Sequence, residues 1–331
     1  MNIEKEIIVS APTRVLDFGG WTDIAASGHG KVLNIAVEPL STVRLKERHD
    51  REVIVHLPNF GLEYRLEDGI DHPIIDECIR YFRERINFNA DIYVDSPAPP
   101  GASIGTSASV LIALVGTLNE RCNTKLGPTE IISLAHHVET QLAGREAGVQ
   151  DYVPAVFGGC NLITIGPFPN FEIEKIDEDR FLNEVIDTSV TLHIGGSHDS
   201  SELHKQVIQS IKTEKAQKAM HDLRGLAEKA GESIRKNDTT SLASVANEST
   251  TLQSLLHSEL VSKEFSRLIQ IAEENKALGC KVNGAGGYGG TVTIIFEKHQ
   301  HAMTFLEAPK SPDVSLIDSK YSIDGMKVKS K

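Results

Sequence analysis

The sequence predicts a mixed α/β protein of two domains. At 331 residues, the chain is longer than a single hydrophobic core usually serves. Stretches rich in β-branched residues predict strands, and these lie over residues 6–10, 31–44, 52–56 and 90–95. Apolar residues at helical spacing predict helices over residues 73–86, 106–120 and 128–142.

The boundary between the two domains is predicted within residues 166–188, which mix proline, phenylalanine and charged residues. We therefore expect domains at 1–187 and 188–331. A strand over 161–165 precedes the boundary, and a strand over 189–194 follows it.

The second domain is predicted to be mostly helical from residue 201 to about residue 277. Breaks between the helices are expected near Gly231, Asp238 and His257. A clear strand follows over 291–296, and the polar tail is expected to hold one short strand.

Composition and charge narrow the class of partner. The net charge of −12 argues against nucleic acid or an anionic membrane, so a phosphate-bearing ligand needs a local basic or N–H-lined pocket. No stretch is apolar for long enough to span a membrane, and the first residues lack the basic-then-apolar order of a secretory signal. The four cysteines are widely spaced, as is typical of reduced packing residues, and we expect a cytoplasmic location.

The glycine-rich stretch at residues 100–109 is the strongest candidate for a ligand site. It reads Pro100-Gly101-Ala102-Ser103-Ile104-Gly105-Thr106-Ser107-Ala108-Ser109 and runs into an apolar stretch that ends at Leu118. A loop that enters a helix presents free N–H groups and the positive end of the helix dipole, which suit phosphate. The alternative is an ordinary glycine and serine loop before a core helix.

A second candidate segment lies near the start of the chain, at residues 11–23. Arg14 and Asp23 stand on either side of a Gly19-Gly20 turn, beside the single tryptophan, Trp21. An indole ring can stack on a sugar, although packing is its more frequent role. The alternative for the charged pair is a solvated arginine and a turn-capping aspartate.

Two carboxylates follow the glycine-rich stretch at residues 100–109. Glu139 lies on a predicted helix, and Asp151 lies just past its end, after a glycine-rich connection. Such a pair can divide the work between Mg²⁺ binding and general base catalysis, whereas isolated helix-surface acids are usually only solvated.

A third glycine loop, at residues 284–290, has glycines at Gly284, Gly286 and Gly289, as in dinucleotide-binding motifs. We reject that interpretation because a strand follows at once, whereas the motif should open a helix. The loop is instead predicted to be a tight turn where backbones meet. The triplet Asp17-Phe18-Gly19 also occurs in protein kinases, but it lies at the wrong end of the chain and no His-Arg-Asp triplet accompanies it.

Together, the three segments resemble the signature motifs of the GHMP kinase superfamily, in the family's order and across nearly the whole chain. They stand here as Ala11-Pro12-Thr13-Arg14, Pro100 to Ala108, and Gly284-Ala285-Gly286-Gly287-Tyr288-Gly289-Gly290. The segment Gly19-Gly20-Trp21-Thr22-Asp23 is similar to that of fucokinases and D-glycero-D-manno-heptose 7-phosphate kinases. The resemblance implies an N-terminal mixed sheet with helices and a C-terminal ferredoxin-like α/β sandwich, with the active site between them.

The resemblance also implies an activity, namely ATP- and Mg²⁺-dependent phosphorylation of a sugar hydroxyl, the anomeric one. Asp151 would act as the base beside Arg14, and Ser107 with Glu139 would hold Mg²⁺. The residues implied to bind ATP are Pro100, Gly101, Ala102, Ser103, Gly105, Thr106, Ser107 and Ser109. The residues implied to bind the sugar are Gly20, Trp21, Thr22, Asp23, Gly286 and Gly287.

Several alternatives stay open at the level of sequence. The substrate is a heptose 7-phosphate or a related sugar, or else a free monosaccharide of the fucose, galactose, arabinose or uronic acid type. The turn at residues 195–201 lacks an arginine that heptose kinases usually carry. A non-catalytic sugar sensor and a decarboxylase share the fold, and a homodimer is one possible assembly.

Overall fold

The computed structural model describes residues 6–69, 72–99, 101–195, 200–287 and 289–330, which form two β-sheets with helices packed around them. Within these ranges, no helix is long and apolar enough to cross a membrane. All four cysteines are buried and free of disulfides.

The first sheet has eight strands and is mixed. Its strands are β1 (Glu6–Phe18), β2 (Gly30–Glu47), β3 (Val53–Leu57), β4 (Leu62–Arg65), β5 (Ala90–Asp95), β6 (Cys160–Ile165), β7 (Phe171–Ile176) and, from the end of the chain, β12 (Lys327–Ser330). The main path runs β12-β1-β2-β5-β3-β4, while β6 pairs with β2 and β7 pairs with β6. Only the β3–β5 pair is parallel among these described pairings.

Four helices cover the first sheet. They are α1 (Pro73–Arg83), α2 (Thr106–Cys122), α3 (Pro128–His137) and α4 (Tyr152–Phe157). The predicted apolar face of α1 is buried, including Ile75, Ile79 and Phe82. By contrast, α2 is buried along most of its circumference, since it lies against β1 and β2 and under its neighbouring helices.

The second sheet has four strands, all antiparallel to their neighbours. They are β8 (Ser189–Ile194), β9 (Ala277–Val282), β10 (Thr291–Phe296) and β11 (Val314–Ile317), in the order β11-β8-β10-β9. The helices of this part are α5 (Asp179–Asp187), α6 (Ser200–Ser210), α7 (Glu214–Arg235), α8 (Thr239–Leu256), α9 (Lys263–Glu274) and α10 (His299–Glu307). This strand order is that of the ferredoxin-like split βαβ arrangement, and the predicted fold class is confirmed.

Helices α7 and α8 join the two parts into one packed unit. Leu226 and Ala243 from these helices share a buried cluster with Phe18 and Leu33 of the first sheet and Ile295 of the second. The chain leaves the first sheet at Ile176 and enters the second at Ser189, yet its last strand returns to pair with β1. The division into domains at 1–187 and 188–331 stays a prediction.

Several predicted elements were wrong in detail. Gly231 does not interrupt a helix but lies inside α7, where an added Cβ would be 3.4 Å from Ile176 and 3.5 Å from Leu33. The helix predicted to reach residue 142 is α-helical only to His137 and continues as the π-helical turn Val138–Leu142. The tail holds two short strands, β11 and β12, rather than one. Strands β4, β7 and β9 were not predicted, because β4 and β7 are largely exposed and β9 follows the long helical stretch directly.

Candidate active site

A cavity of about 770 Å³ lies where the glycine loop before α2, the connection before α4 and helix α6 converge. A smaller cavity of about 60 Å³ adjoins it and reaches Trp21 and Asp23. The two cavities share part of their lining, namely Arg14, Gly148, Asp151, His204 and Ala285. Three segments that are far apart in the sequence therefore face one space.

Gly105 caps the N-terminus of α2 in the left-handed conformation, with φ of 73°. A Cβ at this position would lie 3.3 Å from the Arg14 side chain and 3.5 Å from the carboxyl carbon of Asp151. Glycine adopts this backbone angle without strain, and a side chain here would crowd Arg14. The loop therefore brings the start of α2 directly against the charged pair.

The first turn of α2 is the part of the helix that faces the larger cavity, through Thr106, Ser107 and Ala108. The N–H groups of a first turn have no partner within their own helix. The Thr106 hydroxyl oxygen is also buried without a hydrogen-bond partner among the described residues. These donors fit a phosphate group.

Arg14 is buried, and its side chain is held from several sides. Its Nε donates to Asp151 Oδ1 at 2.9 Å, its Nη1 donates to the Ser103 carbonyl, and its Nη1 lies 4.0 Å from Asp17 Oδ1. Burial opposes its charge, but the carboxylates of Asp151 and Asp17 outweigh burial and raise the pKa of Arg14. The guanidinium therefore stays charged at the edge of the cavity, next to a carboxylate that is 31% exposed.

Glu139 lies on the π-helical turn and is almost fully buried. Its Oε2 accepts a hydrogen bond from the Tyr152 hydroxyl at 2.6 Å, and its Oε1 accepts one from the Ser107 hydroxyl at 3.2 Å. Burial raises the pKa of Glu139. A hydroxyl and a carboxylate oxygen side by side at the cavity are the hard oxygen ligands that Mg²⁺ prefers, and Mg²⁺ normally keeps several waters besides.

Asp23 is also buried, under the connection that precedes α4. Its carboxylate accepts from the Gln150 backbone N–H at 3.1 Å and from Gln150 Nε2 at 3.3 Å, and a Cβ on Gly148 would come within 1.9 Å of it. Burial, together with the negative charge of Asp151, raises the pKa of Asp23 to about 7. Asp23 therefore presents to the smaller cavity a carboxyl group that changes charge near neutral pH.

Helix α6 supplies site residues that the sequence interpretation missed. His204, Lys205, Ile208 and Gln209 line the larger cavity, and the His204 ring packs on Trp21 with ring centroids 4.8 Å apart. Arg145, from the connection after Glu139, lines it as well. Residues 204, 205, 208 and 209 share one face of a helix, so the helical period was the signal that could have found them. Nothing in α6 itself pointed to a ligand.

Several residues implied to bind ligand lie outside the lining of both cavities. The Thr22 hydroxyl donates to the Gly19 carbonyl at 2.7 Å and accepts from the Lys31 N–H at 3.1 Å. The Ser109 hydroxyl donates to the Ala11 carbonyl at 2.8 Å. Their ligand contacts stay predictions, because here both hydroxyls hold backbone in place.

The implied glycines show the same pattern. A Cβ on Gly20 would lie 2.5 Å from Asp17 Oδ2, a Cβ on Gly286 would lie 2.1 Å from the Leu260 carbonyl oxygen, and the Gly287 N–H donates to that same carbonyl at 3.2 Å. The third loop is thus a tight turn between backbones, as predicted, and among its described residues Gly284 and Ala285 line a cavity. Pro100 lies outside the described residues, as does 196–199 of the turn that lacks an arginine.

The free donors at the start of α2 suit phosphate, and the Ser107–Glu139 pair beside them suits a divalent metal. This combination is typical of a small-molecule kinase. The model of the GHMP kinases N terminal domain matches residues 73–159, and that of the GHMP kinases C terminal domain matches residues 221–311, together more than half of the chain. The chain belongs to the GHMP kinase family. It is a phosphotransferase with an alcohol group as acceptor.

Relatives and solved structures agree with this assignment. The chain is 25% identical to a D-glycero-alpha-D-manno-heptose 7-phosphate kinase of Campylobacter jejuni, over 98% of each chain. It is 27% identical to a mevalonate kinase of Archaeoglobus fulgidus, over 94% of this chain and 99% of the relative. Its fold is similar to that of a D-glycero-D-manno-heptose 1-phosphate kinase of Bacteroides thetaiotaomicron, with a TM-score of 0.78, 18% identity and 98% of each chain covered.

Proposed function

We propose that this protein transfers the γ-phosphoryl group of ATP, with Mg²⁺, to the anomeric hydroxyl of a heptose 7-phosphate or a related sugar phosphate. The observation that carries the proposal is the Arg14–Asp151 contact of 2.9 Å at the cavity, opposite the start of α2. The similarity to a heptose 7-phosphate kinase over nearly the whole chain supports the choice of substrate class.

The glycine loop and the first turn of α2 would hold the phosphates of the nucleotide. Gly101 has φ of 78°, and the nearest atom to a Cβ placed there would be 4.0 Å away, so the backbone is open to a ligand. Free N–H groups and the helix dipole would then neutralise phosphate charge without a large basic patch. This fits a chain whose net charge is −12.

Ser107 and Glu139 would hold Mg²⁺. The Ser107 hydroxyl lies 3.2 Å from Glu139 Oε1, and the Tyr152 hydroxyl donates to Glu139 Oε2. Oε1 is therefore the carboxylate oxygen that would bind the ion together with Ser107. When bound, the ion neutralises charge on phosphate oxygens.

Asp151 would accept the proton of the sugar hydroxyl. The hydroxyl oxygen would attack the γ-phosphorus, and the bond between the γ-phosphorus and the β-phosphate oxygen would break to release ADP. Arg14 orients the Asp151 carboxylate through the Nε contact. Arg14 also places a positive charge next to the phosphoryl group as that group is transferred. Positioning and charge neutralisation are what such a reaction chiefly requires.

The acceptor would lie beside α6 and Trp21. Arg145 and Lys205 both line the larger cavity, although they are 60 positions apart in the sequence. They favour a substrate that already carries an anionic group. Asp23 and the Trp21–His204 ring pair would border its hydroxyls, with Asp23 in its neutral or ionised form.

An ADP-release screen tests the proposal. The wild-type protein, with ATP and Mg²⁺, is assayed against heptose and sedoheptulose 7-phosphates, mannose, galactose, fucose, arabinose and glucuronate. Turnover on a heptose phosphate supports the proposal, whereas turnover on a free sugar alone overturns the phosphorylated substrate. No turnover across the panel together with measurable sugar binding points to a sensor. Release of CO₂ from mevalonate diphosphate, assayed alongside the sugars, points to a decarboxylase.

A Lys205→Met variant makes the substrate test sharper. We expect it to raise KM for the phosphorylated sugar about tenfold, the loss of one charge-assisted contact, and to leave KM for ATP unchanged. Lys215→Met on the exposed side of α7 is the matched control. An equal effect of Lys205→Met on both substrates would contradict a contact with the sugar phosphate.

A further inference from the structure

Asp17 is a fully buried carboxylate that the proposed reaction does not use. It belongs to the Asp-Phe-Gly triplet whose protein-kinase interpretation was rejected. The pairing of β1 with β2 shifts register between Val15 and Phe18, and Leu16 takes a positive φ of 54°. An irregularity of this kind turns a side chain out of the regular ladder. It directs the Asp17 carboxylate towards the second sheet.

Two cations from different parts of the fold meet this carboxylate. Lys281 of β9, itself fully buried, places Nζ 3.5 Å from Asp17 Oδ1, and Arg14 Nη1 lies 4.0 Å from the same oxygen. Burial lowers the pKa of Lys281, and the nearby positive charge of Arg14 lowers it further, while Asp17 opposes both. Asp17 therefore separates two like charges that are otherwise left facing each other.

Gly284 is held by hydrogen bonds at both its N–H and its carbonyl. Its N–H donates to Asp17 Oδ1 at 2.9 Å, and its carbonyl accepts from Gln253 Nε2 at 3.0 Å. Lys281 Nζ donates to Gln253 Oε1 at 2.9 Å. Asp17, Gly284, Gln253 and Lys281 thus close a ring of hydrogen bonds that joins β1, α8 and the third glycine loop.

Gly284 lies next to Arg14 and next to the Ser103 carbonyl. A Cβ on Gly284 would lie 2.8 Å from Arg14 Nη2 and 2.5 Å from the Ser103 carbonyl oxygen, which itself accepts from Arg14. The Gly284 backbone therefore lies against the guanidinium and against the carbonyl that accepts from it, with no space for a side chain between them. The position of Arg14 is consequently tied to the ring as well as to Asp151.

We propose that the ring of Asp17, Gly284, Gln253 and Lys281 is a positioning device that fixes the Arg14 guanidinium against Asp151. Asp17 and Lys281 are its charged members, and they act through Arg14 rather than on the substrate. The inference rests on the proposed role of Arg14 in phosphoryl transfer.

A ring that served stability alone would not need these groups. A buried ion pair is often no more stabilising than well-packed apolar residues, because both charges lose their hydration. Asp17 Oδ2 has no hydrogen-bond partner among the described residues, so the carboxylate is not even fully satisfied. What the charges do provide is a defined orientation for the neighbouring guanidinium.

The test is a double-mutant cycle with Asp17→Asn and Lys281→Met. Each single variant leaves a buried cation or carboxylate without its partner, and we expect each to lower the melting temperature. The double variant removes both charges, and we expect it to recover most of the lost melting temperature. Its kcat, however, stays about 10–100-fold below that of the wild type, with KM for ATP unchanged, because Arg14 is no longer held in place.

Two outcomes overturn the proposal. One is a double variant with wild-type kcat, which makes the ring purely structural. The other is an equal loss of kcat in Leu268→Ala, a buried residue of the second sheet's core that is not a member of the ring, which makes the loss a consequence of destabilisation.

A crystal structure of the double variant provides a readout that is independent of turnover. We expect the Arg14 Nε to Asp151 Oδ1 distance to lengthen from 2.9 Å and the hydrogen bond to break. An unchanged contact overturns the positioning role. This measurement also distinguishes the two proposals. If the wild-type protein phosphorylates no sugar, the proposed function is wrong, but the crystal structure still tests whether the ring positions Arg14.

Discussion

Asp151 is the residue on which the proposed chemistry depends most directly. Replacing it with Asn keeps the shape of the side chain but removes the proton acceptor. We expect kcat to fall about 10²–10⁴-fold, the usual contribution of a general base, as measured by initial rates of ADP release. Asp187→Asn, on an exposed residue at the end of α5, is the control and should keep the wild-type rate. Near-normal turnover of Asp151→Asn removes Asp151 from the role of base.

Asp23 gives the protein a pH-dependent stability with a definite sign. Its pKa is raised to about 7 in the folded protein, whereas an unfolded chain has an Asp pKa of about 3.9. The stability that Asp23 contributes is therefore full below the unfolded value and is lost as pH rises through about 7.

The matching variant is Asp23→Asn, which cannot ionise. We expect its melting temperature to rise relative to the wild type between pH 5 and pH 8, because only the wild type must then bury a charge. Thermal unfolding at several pH values measures this difference. A difference that is constant with pH would show that Asp23 does not change protonation over this range.

At the scale of elements, the start of α2 and the π-helical turn meet through one hydrogen bond, from Ser107 to Glu139. If this pair holds the metal, Ser107→Ala raises the Mg²⁺ concentration needed for half-maximal rate, since one oxygen ligand is lost. Ser133→Ala, an exposed serine of α3, is the matched control. If the Mg²⁺ titration of Ser107→Ala is unchanged, the Ser107 hydroxyl does not bind the metal and serves only as a hydrogen-bond donor to Glu139.

At the scale of the whole molecule, the end of the chain returns to its beginning. Strand β12 pairs with β1, and Met326 packs over α2, where a Cβ on Gly116 would lie 2.5 Å from its sulfur. Met326 is partly buried, and Met326→Ala is expected to lower the free energy of unfolding by about 1 kcal/mol, below the value of a fully buried apolar side chain. Denaturant titration checks this, with the exposed Met303→Ala expected to change it by less than about 0.5 kcal/mol. Equal effects of the two variants would mean that Met326 does not hold the terminal strand.

The sequence by itself determined what depends on neighbours along the chain. The helical spacing of α1, the glycine loop that enters α2 and the tight turn at Gly284 each follow from a few consecutive residues, whose backbone angles and apolar period are local properties. The three motifs that carry the family resemblance are local in the same sense. Fold class and family could therefore be predicted.

Only the tertiary structure decided which side chains meet. It turned the hydroxyls of Thr22 and Ser109 onto backbone carbonyls, and it placed His204 and Lys205 of α6 against the cavity. It also brought Asp17 to Lys281, 264 positions further along the chain. Contacts of this kind arise when two sheets pack through shared helices, and no pattern of consecutive residues encodes which buried charges will face each other across that packing.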